Sequence, residues 1–337
     1  MSTDPRERAL AFLNGFRVFK LVSVAVALGI PERLVDGAKT ADELARETGA
    51  NADALRRALR ALAAQGALRE EADGRFAATD VTPLLRRGVS GALGDVVVML
   101  DREGYRAWAE LEHTLRTGEA GYPRAYGMSH REHLRNDPEG TELFNRAMVS
   151  LTTRIAEAVA RAYDFSRARL VADVGGGNGA LLIGVLRAHP HLRGLLVDIE
   201  TGLRGAREVL IAAGVADRCE LRVSDFFVEV PRADVYLLKS ILHDWPDADA
   251  ARILATCRRS MGPDARLLAV ERRLPDRVSE DPPSRNATIG DVHMLVLFGS
   301  RERTAAEYAA LFASAGLRAG AVIPVDPEWA IFEAVPA

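Results

Sequence analysis

Residues 173–179 read Asp-Val-Gly-Gly-Gly-Asn-Gly, a run that lets backbone approach a ligand closely and leaves N–H groups unpaired where a helix begins. The spacing is ambiguous between cofactor classes, because Gly175, Gly177 and Ala180 also satisfy the G-x-G-x-x-A fingerprint of a dinucleotide site. Asp198, nineteen residues beyond Gly179, suits a ribose diol in either case. In Ser224-Asp225-Phe226-Phe227, an acid beside an aromatic ring can accept from an adenine amino group and stack on the base. Further on, Lys239 and Trp245 bracket a segment containing His243, a candidate general base. Pro246 and Asp247 read as first-turn helix residues instead, and Asp244 stays open between the two readings. Lysine is scarce, with only Lys20, Lys39 and Lys239 among 44 basic residues, so Lys239 stands out.

Holding these residues at one edge requires strands that end together. Leu170–Val174, Gly194–Asp198, Cys219–Val223, Ala233–Leu238 and Arg266–Glu271 are short apolar runs. They alternate with helical stretches near 179–189, 202–213 and 247–260. A loop at 275–284, helices near 286–297 and 304–315, and strands near 317–323 and 328–334 complete the pattern. This predicts an α/β fold with a Rossmann-like, doubly wound, mostly parallel seven-stranded sheet. Every candidate site residue named above then falls at the carboxyl edge, where such sheets bind ligands.

The first 165 residues read differently. Apolar residues at helical spacing fill Ala9–Leu28, ahead of Gly29 and Pro31. Thr40-Ala41-Asp42-Glu43 is a capping box, and a second helix runs from about Asp53 to Gln65. Leu68–Glu70 and Arg75–Ala78 flank a hairpin turn at Asp73-Gly74, so the outline is a winged helix-turn-helix. Helices near 104–117 and 140–163, separated by a loop around 118–128, complete this half.

Composition narrows the classes. The 337 residues are 48% hydrophobic and 27% charged, which suits a soluble globular protein with sizeable cores. A net charge of −3 gives no electrostatic footprint for nucleic acid or anionic membrane. Cys219 and Cys257 lie in no Cys/His pattern, which disfavours a disulfide framework or structural zinc and implies a reducing compartment. The uncharged run Leu21–Ile30 has ten residues, half of what a membrane span needs. A cytoplasmic protein is expected.

Taken jointly, Asp173–Gly179, Asp198, Asp225-Phe226, Lys239 and His243-Asp244-Trp245 resemble the class I S-adenosylmethionine-dependent O-methyltransferases of the caffeate/flavonoid type, whose bacterial relatives act on antibiotics and pigments. Glu271, Asp291–Leu295 and Arg301-Glu302-Arg303-Thr304 extend the resemblance over essentially the whole chain. It implies a winged-helix-like dimerisation domain at 1–100, a connector contributing to the substrate pocket at 101–165, and a cofactor-binding catalytic domain at 166–337. By the same resemblance Gly175, with Gly177 in the loop, lies against the cofactor's methionine part and Asp198 holds its ribose. Asp225 and Phe226 address the adenine, and Lys239 and Trp245 line that pocket. His243 takes the acceptor's proton, with Glu271 and Glu302 flanking the imidazole. Phe144, Met148 and Met294 match positions lining the acceptor pocket of plant members, where Leu151 replaces a polar residue. The chain departs from the pattern at Ile199-Glu200, Ser224 and Gly299-Ser300, which affects pocket contours and no proposed functional side chain. A homodimer is implied, and a small hydroxylated aromatic metabolite is the implied substrate.

The chemistry is coherent without a metal. A phenol has a pKa of about 10 against about 6.5 for histidine, so full proton transfer in water costs about 5 kcal/mol. That is tolerable when proton loss accompanies methyl transfer, and it favours a phenolic or enolic acceptor over an aliphatic alcohol. The pairs His130/His133 and His189/His191 form no metal motif and read as solvated loop or helix-end residues. Three other readings remain: bound S-adenosylmethionine used structurally in hydroxylation or rearrangement, a DNA-binding regulator reading the groove through Arg56, Arg57 and Arg60, and a dinucleotide oxidoreductase.

Overall fold

The computed structural model describes residues 4–337. By compactness the chain forms two units: one runs up to Tyr105 and takes in Glu142–Leu151, and the other comprises Arg106–Thr141 and Thr152–Ala337.

In the first unit α1 (Pro5–Ala27) starts earlier than its apolar spacing indicates, because Asp4 caps it with a 2.9 Å bond from the Arg6 N–H. Gly29, at φ 66°, turns the chain into α2 (Ile30–Arg33). Pro31, expected as a stop, therefore sits in the first turn of a new helix, where its missing N–H costs nothing. The capping box at Thr40/Glu43 opens α3 (Ala41–Thr48), and Asn51 caps α4 (Ala52–Ala64). Leu44, Leu55, Leu59 and Leu62 bury their apolar faces with Phe76 of the hairpin β1 (Leu68–Glu70) and β2 (Phe76–Ala78). Helix α5 (Gly94–Met99) and a π-helical turn at Leu100–Gly104 follow, neither of which shows in the sequence periodicity.

Helix α1 is 23 residues long and, among the described residues, is the one helix long and apolar enough to cross a membrane. The uncharged run understated it because Arg17 and Lys20 interrupt the run without interrupting the helix.

Past the first unit's Tyr105, the expected 104–117 helix is broken into α6 (Tyr105–Trp108) and α7 (Leu111–Thr117). The expected loop at 118–128 holds α8 (Gly121–Tyr126), and α9 (His130–Asn136) follows from a Ser129/Glu132 capping box. Burial of Tyr122 and His130 holds these short helices, a tertiary cause with no periodic signature. After them α10 (Pro138–Ala162) begins at a proline capped by Asp137.

The sheet follows the expected rhythm: β3 (Leu170–Val174), α11 (Ala180–Ala188), β4 (Arg193–Asp198), α12 (Ala206–Ala212), β5 (Cys219–Val223), β6 (Val235–Lys239), α13 (Asp247–Ser260) and β7 (Arg266–Arg272). Then α14 (Pro282–Phe298) starts inside the expected loop, since Asp281 caps it and prolines suit a first turn. Last come α15 (Ala305–Ser314), β8 (Leu317–Pro324) and β9 (Trp329–Pro336). The seven strands run in the order β5-β4-β3-β6-β7-β9-β8, with β9 antiparallel to both neighbours. Alternation along β3 sends Ala172 and Val174 into one core layer and Val171 into the other. Because successive strands diverge from β3 to β4 on one side and β6 on the other, the carboxyl ends of β3 and β6 bound a switch-point crevice.

Candidate active site

The glycine loop leaves β3 with Gly175, Gly177 and Gly179 at φ 72°, 58° and 86°, values that other residues adopt only under strain. A Cβ at Gly175 would fall 2.5 Å from Ile241 Cδ1, while nothing lies within 4 Å of one at Gly177. The loop is therefore closed behind Gly175 and open over Gly177. Asp198, ending β4, accepts from the Gly177 N–H at 2.9 Å and the Ile199 N–H at 2.7 Å. Burial raises its pKa and the two N–H groups oppose that. Behind the loop, Asp173 is buried with Oδ2 unpartnered, and burial pushes its pKa up to about 7.

Asp225 is exposed at the edge, one oxygen accepting from the Phe227 N–H at 2.8 Å. Phe226 and Phe227 both meet the Trp245 ring edge-on, at centroid distances of 6.1 and 4.7 Å. Lys239 lies with Nζ 5.0 Å from the Trp329 ring centroid, and burial lowers its pKa to about 8 against the pull of Glu271. These residues fit an adenosyl group: an open glycine floor, a carboxylate at the end of the next strand, and an acid beside aromatic rings.

At the end of β6, Ser240 is the one non-glycine residue with positive φ among those described, at 54°. The turn it makes aims the Ile241 and Leu242 N–H groups at Glu271 Oε1, 3.1 and 2.9 Å away. It also delivers His243 on a short turn, Leu242–Asp244. Nδ1 of His243 lies 3.0 Å from Glu302 Oε1 in a hydrogen bond and 3.5 Å from Glu271 Oε2. Nε2 has no hydrogen-bond partner among the described residues, Asp244 Oδ1 being 3.4 Å away. Burial opposes charge on this imidazole, but the surrounding carboxylates outweigh it and raise its pKa to about 10. Burial also pushes the Glu271 carboxyl upward.

The histidine pairs carry no metal motif, whereas His243, Glu271 and Glu302, which no such motif marks, place possible ligand atoms within 4.8 Å of one another. The pairs themselves were misread in part. His130 is buried edge-on against Tyr122 and Phe298, and His133 Nδ1 lies 2.7 Å from the Tyr122 hydroxyl. His189, at the end of α11, has Nε2 2.9 Å from the Ala160 carbonyl, and His191 is exposed.

Two arginines hold the histidine segment, and neither was given a role from sequence. Arg303, buried beside Glu302, donates to the Leu242 and Trp245 carbonyls at 2.8 and 2.9 Å and to Asp247 Oδ1 at 2.7 Å. Arg131 stacks 3.6 Å from the Trp245 ring centroid and donates to the Asp244 carbonyl at 2.6 Å. An arginine following a candidate orienting acid was the available signal for the first; nothing local marked the second. Of the acceptor candidates, Phe144 and Met148 pack with Met99, Leu143 and Ala147 in the first unit, and Met294 is half-buried on α14 in the second.

A sheet of this order, with a glycine loop at its switch point and an acid-flanked histidine after β6, defines a Rossmann-like methyltransferase. The chain belongs to the O-methyltransferase family: residues 108–318 match the family's O-methyltransferase domain and residues 10–87 its dimerisation domain. It is a S-adenosylmethionine-dependent enzyme, and it assembles as a homodimer. It is 40% identical over 328 residues to the phenazine O-methyltransferase PhzM of Lysobacter antibioticus, covering 97% of this chain and 95% of that protein. Identity to the mitomycin biosynthesis 6-O-methyltransferase of Streptomyces lavendulae is 42% over 315 residues, covering 93% and 89%. The crystal structure of NcsB1, an O-methyltransferase from neocarzinostatin biosynthesis in complex with S-adenosylmethionine and 2-hydroxy-5-methyl naphthoic acid, superposes with a TM-score of 0.82 at 31% identity, covering 95% and 96%.

Proposed function

We propose that this enzyme, in the cytoplasm, methylates a phenolic or enolic hydroxyl of a small aromatic secondary metabolite, with His243 as the proton acceptor. The observation that carries the reading is the buried imidazole with Glu302 on Nδ1 and an Nε2 that makes no hydrogen bond among the described residues, 3.4 Å from Asp244 Oδ1. S-adenosylmethionine, when bound, supplies a methyl group already activated on sulfonium. The chain's own residues bind, align and take the proton. Gly175 and Gly177 admit the methionine part, Asp198 the ribose hydroxyls, and Asp225 with Phe226 the adenine. Lys239 and Trp245 line the same pocket, and Phe144, Met148 and Met294 are the residues we assign to the acceptor.

The carboxylates do more than orient the ring. By lifting the imidazole toward pKa 10 they bring it level with a phenol, which removes most of the mismatch calculated for water. They also keep the ring protonated at neutral pH, so the reactive neutral form is the minor one. Methylation of a phenol is then expected to quicken as pH rises toward 10, while an acceptor already ionised shows no such rise.

The test has two parts. Calorimetric titration with S-adenosylhomocysteine is expected to show binding, with no heat from NAD. Replacing His243 with alanine is expected to lower phenol methylation by about 10²–10⁴-fold with S-adenosylhomocysteine binding intact. A variant methylating at the wild-type rate would sink the role of His243.

A further inference from the structure

Helix α14 carries a second imidazole whose hydrogen-bonding state is fixed by the fold. The indole N–H of Trp108 points at His293 Nδ1 across 2.9 Å, with the rings nearly parallel at 21°. An indole nitrogen can only donate, so Nδ1 must accept, and the ring's one proton then resides on Nε2. That Nε2–H makes no hydrogen bond among the described residues, and His293 is half-buried. The ring is otherwise enclosed: burial first, then the neighbouring charges of His130, His243 and Arg272, pull its pKa down to about 4. The neutral ring is therefore the form present near neutral pH, and the Trp108 bond decides which of its nitrogens carries the proton.

Its position is equally defined. Gly290, one turn earlier, faces the catalytic cluster, since a Cβ there would lie 3.8 Å from Glu302 Oε1 and 3.5 Å from Arg272 Cδ. Residues three apart share a helix face, so His293 lies on the side facing Glu302. Asp291 anchors the helix to that acid by accepting the Glu302 N–H at 2.8 Å. Met294, already assigned to the acceptor, is the next residue.

We infer that His293 recognises the acceptor, donating from Nε2 to a carboxylate or carbonyl oxygen carried on the ring beside the hydroxyl that is methylated, and that Trp108 holds it in the tautomer able to do so. The nearby cations are themselves paired, Arg272 with Glu328 at 2.8 Å and His243 with Glu302 at 3.0 Å, so it is the Nε2–H bond that would select for the oxygen, more strongly when that oxygen carries charge. This inference rests on the methyl-transfer reading, and it narrows the substrate class to hydroxyaromatics with a neighbouring carbonyl-type oxygen.

A matched pair of probes tests it: 1-hydroxy-2-naphthoic acid and 1-naphthol, differing only in the carboxylate. Binding is measured by calorimetry with S-adenosylhomocysteine present, and methylation with S-adenosylmethionine. The intact enzyme is expected to bind the acid at least about tenfold more tightly, the size of one charge-assisted hydrogen bond. His293→Phe should erase that preference by raising KM for the acid while leaving kcat and the 1-naphthol constants in place, and His293→Gln should restore part of it. Nitrogen-15 spectra of the imidazoles should show His293 protonated on Nε2, with tautomers mixed in Trp108→Phe. No preference for the acid in the intact enzyme overturns the inference, as does an equal loss for both probes in His293→Phe or a proton found on Nδ1. Failure of the His243 reading looks different, since His243→Ala would then methylate normally whichever probe His293 prefers.

Discussion

The proton balance of the site depends on which carboxylate touches which nitrogen of His243. Glu302 holds Nδ1 directly, and its charge is one cause of the raised pKa. Glu302→Gln keeps the shape and removes the charge, so the imidazole pKa should fall toward its ordinary 6.5. The rise of kcat/KM with pH is then expected to move to lower pH, while the maximal rate drops on the order of 10²-fold because the base is weaker. A profile that stays in place would mean that Glu302 acts only on geometry. Asp173 gives a stability prediction of unusual sign. Its folded pKa of about 7 exceeds the ordinary 3.8, so its contribution is fully present below 3.8 and is lost as pH rises through 7. The loss is on the order of 4 kcal/mol, since burial and little else opposes the charge. Asp173→Asn should therefore raise Tm at pH 8 and leave it nearly unchanged at pH 4, measured by thermal unfolding of the ligand-free protein.

Among elements, the turn after β6 holds the proposed base on a strained backbone. Ser240 at φ 54° is held there because the two following N–H groups bond Glu271 and Arg303 grips the carbonyls of Leu242 and Trp245. Ser240→Gly is expected to fold and turn over normally. Ser240→Val, with a branched side chain in a left-handed conformation, should cost about 2 kcal/mol and lower kcat more than cofactor affinity, measured by denaturant unfolding and steady-state kinetics. None of this strain is visible in Lys239-Ser240-Ile241, where serine reads as ordinary loop. What could be read was periodic or capped locally: β5 and α13 fall at their expected bounds, and the Thr40 capping box opens α3. The short helices α6 to α9 could not be, since buried Tyr122 and His130 hold them rather than spacing. Likewise His243, Glu271 and Glu302 lie far apart in sequence and meet only because the turn after β6, the end of β7 and the segment before α15 converge. Their grouping was legible by family resemblance, whereas the Arg303 clamp and the Trp108–His293 bond required coordinates.

At the scale of the whole molecule, the question is what covers α1. Phe12 is 77% exposed and Phe16 56%, with Leu10, Leu13 and Val24 beside them on the same helix. An apolar stripe of this kind marks a surface that meets a partner or a membrane, and α1 is long and apolar enough to cross one. Residues 10–87 match a dimerisation domain, which points to a second copy as the occupant. The stripe adjoins a cavity of about 400 Å³ lined by Phe16, Leu21 and Val24 of α1 with Leu55, Leu59 and Leu62 of α4, a socket for apolar side chains. If dimerisation buries it, folding and association are linked, and Tm must rise with protein concentration. Phe12→Asp combined with Phe16→Asp places charges where desolvation is costly, so the variant should sediment as a monomer and lose the concentration dependence of Tm. Both changes are on the exposed face of α1, so the core around Leu44 and Leu59 stays intact and circular dichroism should retain its helical signal. If the double variant still sediments as a dimer, α1 is covered by something other than the second copy, and vesicle flotation of the wild-type protein then becomes the decisive measurement.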